Sequence, residues 1–347
     1  MDPLTGTAVS EVASLRSTSA SHAAATLTVL WCAEEPARVG ETLLLPSAPG
    51  HTVLFGRGGA RTSDDSPRVS LGRHEPNAVR ATAPVLIAQL SRNQASLTPT
   101  RDGKIELRNV GQCRLIHNGI DCTVARVSPG DLVQFGRQLL FLCTPRPGVL
   151  PERSPRYPTH VHGAADAFGI VGESIEAWEL RRQLALVAER SGDVLVRGAS
   201  GSGKKLAAGA IRTMSRRGTR PIVCRNAIDD DVAARFAFQI VVPSLNERRA
   251  DVPLIIAHLL SSRASTDGVL RARLYPSDDL TRPPRVPLSI VRRLVRHEYR
   301  DGVRELERVL LAALDVNADG LDAPESALRR SMSKHGIAAP RKVSGAA

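Results

Sequence analysis

The sequence predicts a multidomain protein: an N-terminal β-sandwich, then an α/β domain that carries a phosphate-binding loop (P-loop) and ends in a helical lid. Short β-rich runs separated by Gly, Pro, Asp and Asn recur as far as about residue 145, which is typical of a sandwich of short strands. The next segment, from Pro145 to Pro158, contains five prolines, with these two included. Beyond them, apolar runs at strand and helix spacing alternate, which indicates an α/β layer.

These changes of pattern predict the domain boundaries. The segments expected in chain order are a disordered lead-in (1–25), the sandwich (26–146), a Pro-rich linker (147–167), a reduced α/β core (168–262), a loop (263–287), the helical lid (288–320) and a tail (321–347).

Individual elements follow from composition and periodicity. The strand-like runs of the sandwich are Leu27–Trp31, Thr52–Phe55, Val85–Leu90, Ile105–Leu107, Leu132–Phe135 and Leu139–Cys143. In the second half, the helical spacings fall at Ser174–Ser191, from the P-loop to about Arg216, at Leu288–Tyr299 and at Gly302–Val316, and the strand-like runs at 194–196, Pro221–Cys224 and Gln239–Val242.

Composition excludes several classes of protein. The formal charge is +12, but only five of the 47 basic residues are lysines and the arginines are spread along the chain, so no local nucleic-acid patch is predicted. Aromatic residues make up 3%, which argues against base stacking on single strands. Five cysteines without a C-x-x-C pair indicate no disulfide or metal framework. No signal core or membrane-length apolar run is visible, so we expect a cytoplasmic protein without a membrane partner.

A glycine-rich turn joins the strand-like run at 194–196 to the helix that follows it. Glycines let a backbone turn tightly and aim its N–H groups inward, and a helix start adds positive charge, so such a loop can hold phosphates, with a Lys reaching the β- and γ-phosphates. The alternative is a glycine-rich turn without a ligand. The predicted nucleotide-binding residues of the loop are Gly198, Gly201, Ser202, Gly203, Lys204 and Lys205. Lys205 occupies the position where the motif has Ser or Thr as a Mg²⁺ ligand.

In the first half, an ordered set of short motifs resembles a forkhead-associated (FHA) domain, a phosphothreonine-binding β-sandwich. These motifs are Gly56-Arg57, Ser91-Arg92-Asn93-Gln94, Asn109-Val110-Gly111 and Asn118-Gly119, and they lie within residues 26–146. The resemblance implies that Arg57, Ser91 and Arg92 contact the phosphate and that Asn118 holds the peptide backbone, consistent with Arg clusters as phosphate readers. Gln94 replaces the His of the family pattern, a residue that is mainly structural in the family. The alternative is a sandwich that does not bind phosphate.

The second half resembles the AAA+ domain of bacterial enhancer-binding proteins, the ATPases that activate sigma-54 RNA polymerase. Four stretches in order carry the resemblance: 170–174, the P-loop, 245–254 and Gly302-Val303-Arg304-Glu305-Leu306-Glu307. It implies that Arg304 senses the nucleotide, although a helix-surface ion pair with Glu307 is the alternative. The family usually has Glu after the P-loop Lys, so Lys205 reverses a charge.

The catalytic acids of that family are not found. Only twelve residues separate Asn226 from Gln239, where the family holds its Walker B acids, its sigma-factor loop and its sensor Asn. Asp229, Asp230 and Asp231 are the only acids in this interval, and they are predicted to form a solvated turn. Because phosphoryl transfer needs a carboxylate-held Mg²⁺, the sequence predicts binding of ATP or ADP without hydrolysis. No catalytic residue and no resident metal site are assigned, and a role for Mg²⁺ stays open.

The expected function is therefore a signalling and transcription regulator. Its FHA-like domain would read a phosphothreonine-containing protein, and its degenerate AAA+ module would contact the sigma-54 polymerase machinery or full-length AAA+ relatives. Residues 321–347 are too short and too rich in Ala and Pro for a helix-turn-helix, so direct sequence-specific DNA binding is not expected. The alternatives are an active ATP-dependent sigma-54 activator and a structural interaction module in which both sites have decayed.

Overall fold

The computed structural model describes residues 24–46, 48–58, 67–76, 78–147, 150, 152–215 and 221–316. The predicted tail and nearly all of the predicted lead-in lie outside these residues. Ala24 and Ala25, assigned to the lead-in from the sequence, begin the first strand. None of the helices among the described residues combines the length and the apolar character needed to cross a membrane.

Among the described residues, twelve strands of the first half pair into two antiparallel sheets. The strands are β1 (Ala24–Cys32), β2 (Thr42–Leu43), β3 (Val53–Phe55), β4 (Leu71–Glu75), β5 (Ala78–Ala81), β6 (Ala95–Pro99), β7 (Ile105–Asn109), β8 (Leu115–His117), β9 (Ile120–Cys122), β10 (Val124–Val127), β11 (Leu132–Phe135) and β12 (Leu139–Arg146). An eight-stranded sheet has the order β5-β4-β2-β1-β12-β11-β8-β9, and a four-stranded sheet has the order β10-β7-β6-β3.

The two sheets enclose one apolar core. Phe55 of the smaller sheet packs against Phe135 and Phe141 of the larger one, with ring centroids 6.0 and 5.8 Å away. Such tilted and edge-on pairs suit the charge distribution of aromatic rings. The predicted strand at Val85–Leu90 is wrong: Val85 forms only an isolated bridge with Gly58, and the residues after it turn. A short apolar run does not by itself distinguish a strand from a buried loop.

The second half contains a three-stranded parallel sheet with helices around it. Its strands are β13 (Val194–Arg197), β14 (Ile222–Arg225) and β15 (Phe238–Val241), in the order β14-β13-β15. Its helices are α1 (Ile175–Glu189), α2 (Lys204–Met214), α3 (Asp230–Ala233), α4 (Val252–Ala264), α5 (Gly268–Leu274), α6 (Leu288–Arg296) and α7 (Gly302–Val316). The helix α5 lies inside the segment 263–287 that the sequence predicts to be a loop. Asp267 caps it by accepting from the N–H groups of Val269 and Leu270, a start signal that the Pro-rich surroundings obscure.

The described part of the predicted linker, residues 152–167, packs onto the second half. Tyr157 is buried, and its hydroxyl donates to Asp166 at 2.7 Å. The same carboxylate accepts from Nε of the buried Arg181 on α1 at 2.9 Å. A hydrogen-bonded, buried segment of this kind is part of the domain, so it does not act as a spacer between domains.

The outer face of the large sheet also packs against protein. Leu30, Leu140 and Leu142 of β1 and β12 belong to one core together with residues of α4, α6 and α7. The indole Nε1 of Trp31 donates to the Val286 carbonyl at 2.8 Å. Strand β1 is therefore buried on both faces, and the hydroxyls of its buried Thr26 and Thr28 accordingly have partners, the Leu43 carbonyl and Thr144. The two halves of the chain form one continuous body.

The carboxylate of Asp251 lies where these parts meet. It accepts from the N–H groups of Glu173 and Ser174, both at 2.8 Å, and from the Ser174 hydroxyl at 2.7 Å. Arg146 donates from the last sandwich strand to the Glu173 carbonyl. Burial lowers the pKa of Arg146, and the negative charges of Asp251 and Glu173 act in the opposite direction.

The N-terminus of α7 lies on the P-loop. The N–H of Val303 donates to the Gly201 carbonyl at 3.2 Å, and the Ser200 hydroxyl donates to Asp301 at 2.6 Å. Gly201 has a φ of 67°, and a Cβ built on it would overlap the Asp301 carbonyl oxygen. Only glycine satisfies both the backbone angle and the close approach.

Replacing Asp251 tests the central network. Asp251→Ala leaves Arg146 and Arg248 buried with reduced compensation, so we expect the free energy of unfolding to fall by about 3–5 kcal/mol. The measurement is urea unfolding followed by circular dichroism. The matched control is Asp230→Ala, because the Asp230 side chain is 99% exposed and should change stability by about 0.5 kcal/mol at most. Equal unfolding midpoints for the two variants would contradict the assigned role.

Two glycine substitutions test the contact between the P-loop and α7. Gly201→Ala should lower the free energy of unfolding by about 1–3 kcal/mol, because it combines a strained φ with a clash. Gly209→Ala on α2 is the control: no neighbouring atom lies within 4 Å of a Cβ built there, and Ala in a helix should stabilise by about 0.5–1 kcal/mol. Thermal unfolding measures both changes, and a shift of the same sign in the two variants would argue against the contact.

Candidate functional site

The P-loop begins where β13 ends and leads directly into α2. Gly203, with a φ of 101°, is the residue before the first helical residue, Lys204. The parallel partners β14 and β15 hold β13 on either side, and the Val242 N–H donates to the Arg197 carbonyl at 2.8 Å. The sheet thus fixes the start of the loop, and the first N–H groups of α2, which lack acceptors within the helix, provide the kind of donors that bind anions.

The side chain of Lys204 folds back over the loop. Its Nζ donates to the carbonyls of Gly198 at 3.0 Å and Ala199 at 2.7 Å. Burial is the main cause that lowers the pKa of Lys204; Cys224 acts in the opposite direction, and the positive charge of Arg304 lowers it further. The ammonium group is therefore positioned at the loop and lies within electrostatic reach of Arg304.

Arg304 approaches the loop from α7. Its guanidinium lies 3.9 Å from the Asp301 carboxylate, and its side chain is 69% exposed. The contact of α7 with Ser200 and Gly201 is what brings this cation close to the loop. The structure therefore places Arg304 on the side of the loop that α7 contacts, near enough for its charge to act on Lys204.

The remaining two side chains of the loop differ in environment. Ser202 is 3% exposed, and its hydroxyl is buried without a hydrogen-bond partner among the described residues. Lys205 is exposed on the first turn of α2. The Ser202 hydroxyl therefore keeps its hydrogen-bonding capacity inside the loop, whereas the position of Lys205 indicates a solvated charge.

The acidic run between β14 and β15 is exposed. Asp229, Asp230 and Asp231 lie at the start of the short helix α3, where acids suit the helix dipole. Asp230 lies 3.6 Å from the Arg197 guanidinium. The strand β14 pairs directly with β13 over four residue pairs, so no strand carrying acids stands between them.

The predicted phosphate contacts of the sandwich lie together at one end of β3. The Arg57 N–H donates to the Ser91 carbonyl at 2.9 Å, and a Cβ on Gly56 would overlap the Arg92 carbonyl oxygen. The Arg57 guanidinium donates to the Ala88 carbonyl at 3.3 Å, and Arg92 is exposed. The Ser91 hydroxyl accepts from the Gln112 N–H at 2.9 Å.

Gln94 stabilises the loop that carries Ser91 and Arg92 through four hydrogen bonds. It is fully buried; its Nε2 donates to Asn109 at 2.7 Å and to the Cys113 carbonyl at 2.8 Å. Its Oε1 accepts from the N–H of Ser91 at 3.1 Å and of Cys113 at 3.3 Å. Gln94 thus performs a structural task at the position where the FHA pattern has His.

Asn118 is not joined to this cluster. It occupies the turn between β8 and β9 with a φ of 51°; its Nδ2 donates to Asp131 at 2.7 Å, and its Oδ1 accepts from the Leu132 N–H at 2.9 Å. Within the described residues, no hydrogen bond connects it to Arg57, Ser91 or Arg92. Both ends of its amide are used to close the turn, as an αL Asn often does.

Sequence reasoning missed Arg68. Its Nη1 donates to Asn93 at 2.6 Å, and its Nη2 donates to the carbonyls of Arg57, at 3.4 Å, and Arg92. It therefore supports the loop that presents Arg57 and Arg92. The long polar stretch around Arg68 has no hydrophobic periodicity from which its position could be predicted. In the structure, a parallel bridge with Leu54 places it beside β3.

Comparison with known proteins locates one similarity in the sequence. Residues 170–233 match the family model described as Sigma-54 interaction domain. The transcriptional regulatory protein ZraR of Escherichia coli (strain K12) is 44% identical over 62 residues, which cover 18% of this chain and 14% of that protein. ZraR of Salmonella typhimurium is 40% identical over 63 residues, again 18% of this chain and 14% of the relative. The matched segments thus cover about one seventh of these relatives.

Solved structures show a weaker likeness. NtrX from Brucella abortus in complex with ATP is 16% identical with a TM-score of 0.37, over 51% of this chain and 57% of that one. The ADP complex of the same protein is 16% identical with a TM-score of 0.35, over 49% and 62%. The sequence match to a sigma-54 interaction domain of the AAA+ type covers residues 170–233. This segment contains the P-loop together with β13 and β14.

Proposed function

We propose that this chain is a signalling and transcription regulator that binds ATP or ADP in its P-loop without hydrolysing it and reads a phosphothreonine-containing protein through an FHA-type sandwich. The observation that carries the nucleotide part is the presence of two cations at one loop: Lys204 bonds to the carbonyls of Gly198 and Ala199, and Arg304 lies beside Asp301, which accepts from the loop residue Ser200. The match of residues 170–233 to the sigma-54 interaction domain supports it.

The phosphates would be held by groups that are already positioned. Lys204 would exchange its two carbonyl partners for phosphate oxygens, and the N–H groups at the start of α2 would donate to the same anion. The unpartnered Ser202 hydroxyl supplies one further donor inside the loop. Arg304, on the exposed side, would neutralise the outermost phosphate.

The proposal that ATP is not hydrolysed rests on the positions of the acids near the loop among the described residues. A reactive γ-phosphate needs a carboxylate that holds Mg²⁺ and a residue that orients water. Asp230 is exposed and close to Arg197, and Asp301 is engaged by the Ser200 hydroxyl. The direct pairing of β14 with β13 supports the reading that the acid-bearing part of the domain is absent between them.

The phosphopeptide part rests on the cluster of Arg57, Ser91 and Arg92. Arginine side chains grouped at a loop are the common device for reading phosphorylated motifs. Gln94 and Arg68 hold the loop rigidly from two sides, and such support limits the entropy lost on binding. Asn118 would contribute only if its turn opened, so we assign the phosphate to the three-residue cluster.

As partners we propose the sigma-54 polymerase machinery or a full-length AAA+ relative that this chain joins or blocks. The match of residues 170–233 to a sigma-54 interaction domain supports a partner from that system. A working ATPase activator is the first rival proposal and a purely structural module the second. The bonds of Lys204 to the carbonyls of its own loop favour the second rival, because they satisfy the ammonium without a ligand.

Nucleotide binding distinguishes the structural module from the other two. We expect ADP to bind the wild type, and Lys204→Ala to weaken binding about tenfold or more, the loss expected for a charge-assisted contact. Lys205→Ala, the control one residue along, should leave the affinity within about twofold. Calorimetry measures both. Undetectable binding to the wild type would favour the structural module, and ATP turnover above the Lys204→Ala background would favour the activator.

Phosphopeptide binding has its own test. A phosphothreonine peptide library should yield sequences that bind the wild type at least about tenfold more tightly than their unphosphorylated forms. The unphosphorylated forms cannot make the charge-assisted hydrogen bonds between the phosphate and Arg57. Arg57→Ala should remove this preference. Arg101→Ala is the control, since Arg101 is exposed on the turn after β6, at the opposite end of that strand from Ser91. Equal affinity for both peptide forms would refute phosphate reading.

A further inference from the structure

A short connection, residues 297–301, joins the end of α6 to the start of α7. Its last residue, Asp301, lies against the P-loop, because its carboxylate accepts from the Ser200 hydroxyl at 2.6 Å. Arg304 follows on the first turn of α7. The conformation of the connection therefore decides where α7 begins, and with it where the Arg304 guanidinium lies relative to the loop.

Glu305 reaches back from α7 to this connection. Its Oε2 accepts from the N–H groups of Arg300 at 2.6 Å and of Asp301 at 3.0 Å. In return, the N–H of Glu305 donates to the Asp301 carbonyl at 3.4 Å. Reciprocal bonds of this kind resemble a capping box, which satisfies N–H groups at a helix start. The two residues that lead into α7 are thus held by one side chain of that helix.

The second carboxylate oxygen of Glu305 is also engaged. Its Oε1 lies 2.8 Å from His297 Nε2, and since a carboxylate only accepts, the ring proton lies on this nitrogen. The Glu305 side chain is 13% exposed. Burial acts to raise the pKa of Glu305, but the donors Asp301, His297 and Arg300 outweigh it, and the pKa is lowered. The ionised carboxylate therefore has partners on both oxygens, which fix its orientation.

Asn246 holds the middle of the connection from outside. Its Oδ1 accepts from the Tyr299 N–H at 2.9 Å, and its Nδ2 donates to the Tyr299 carbonyl at 2.8 Å. The Tyr299 hydroxyl donates to the Leu294 carbonyl of α6 at 2.6 Å. Asn246 thus fixes Tyr299, and Glu305 fixes the two residues that come after it and lead directly into α7.

We propose that Glu305 is a positioning residue of the nucleotide site: by holding Arg300 and Asp301, it sets the start of α7 so that Arg304 reaches the outermost phosphate of ADP or ATP. The inference rests on the proposed nucleotide site. Glu305 acts through the backbone, without touching the nucleotide. Binding groups need such support from neighbouring hydrogen bonds to keep a productive geometry. The charge of Glu305 alone would have the opposite effect, because a carboxylate repels phosphate.

Two variants of Glu305 separate its position from its charge. Glu305→Asp keeps the charge, but its side chain is one methylene shorter and no longer reaches both N–H groups. Glu305→Gln removes the charge and keeps an oxygen that accepts from both. Calorimetry with ADP on the full chain should show about threefold to fivefold weaker binding for Glu305→Asp, and an affinity within about twofold of the wild type for Glu305→Gln. Stronger binding by Glu305→Gln together with unchanged binding by Glu305→Asp would overturn the proposal.

An Arg304→Ala background tests whether Glu305 acts through Arg304. In that background, Glu305→Asp should change the ADP affinity by less than about 1.5-fold, and a loss as large as in the wild type would overturn this route. Glu307→Asp is the matched control on the same helix: Glu307 pairs with Arg263 at 3.3 Å, away from the connection, and the affinity should stay unchanged. Circular dichroism checks that each variant is folded.

The same titrations distinguish this inference from the nucleotide site on which it rests. If Lys204→Ala weakens ADP binding and Glu305→Asp does not, the positioning role is wrong and the nucleotide site stands. If the wild type does not bind ADP, both are wrong.

Discussion

The structure depends on one buried carboxylate. Asp251 is 1% exposed and accepts three hydrogen bonds from the segment that opens the second half of the chain. A Cβ on Gly172 would overlap it, so the backbone there must approach closely. Burying a charge costs several kcal/mol unless donors surround it, and Arg146 and Arg248 supply the compensating charges. Asp251 lies in the stretch 245–254, which resembles a segment of the bacterial enhancer-binding proteins. In this chain it thus has a structural function.

This network connects the sandwich with the elements that carry the P-loop. Arg146 belongs to the last strand of the sandwich, and Asp251 precedes α4, which packs against α6 and α7. α7 lies on the P-loop through Ser200 and Gly201. α6 ends at Arg296, whose guanidinium lies 3.5 Å from Asn118 in the sandwich. Within the described residues, α7 and the sandwich are therefore joined through packed elements.

Much of the fold follows from the sequence, because strong local signals agree with the tertiary structure. The helix α7 has the predicted bounds, and the P-loop follows its strand as expected. Contacts between distant segments could not be predicted in this way. The sequence places Tyr157 in a linker. In the structure, its hydroxyl donates to Asp166, which also accepts from the buried Arg181. Arg68 and Asn118 likewise take their roles from partners that periodicity does not reveal.

The small parallel sheet explains how the P-loop keeps its shape although, among the described residues, no further strand lies between β13 and β14. Each strand needs neighbours for its N–H and C=O groups, and β14 and β15 supply them to β13 over all four residues, Val194 to Arg197. The geometry of the loop depends on β13 and on the contact between Gly201 and α7, and neither needs an acid at the end of a neighbouring strand. The proposed binding of phosphate by N–H groups and Lys204 is therefore compatible with the proposed absence of hydrolysis, since the two functions rest on different parts of the sheet.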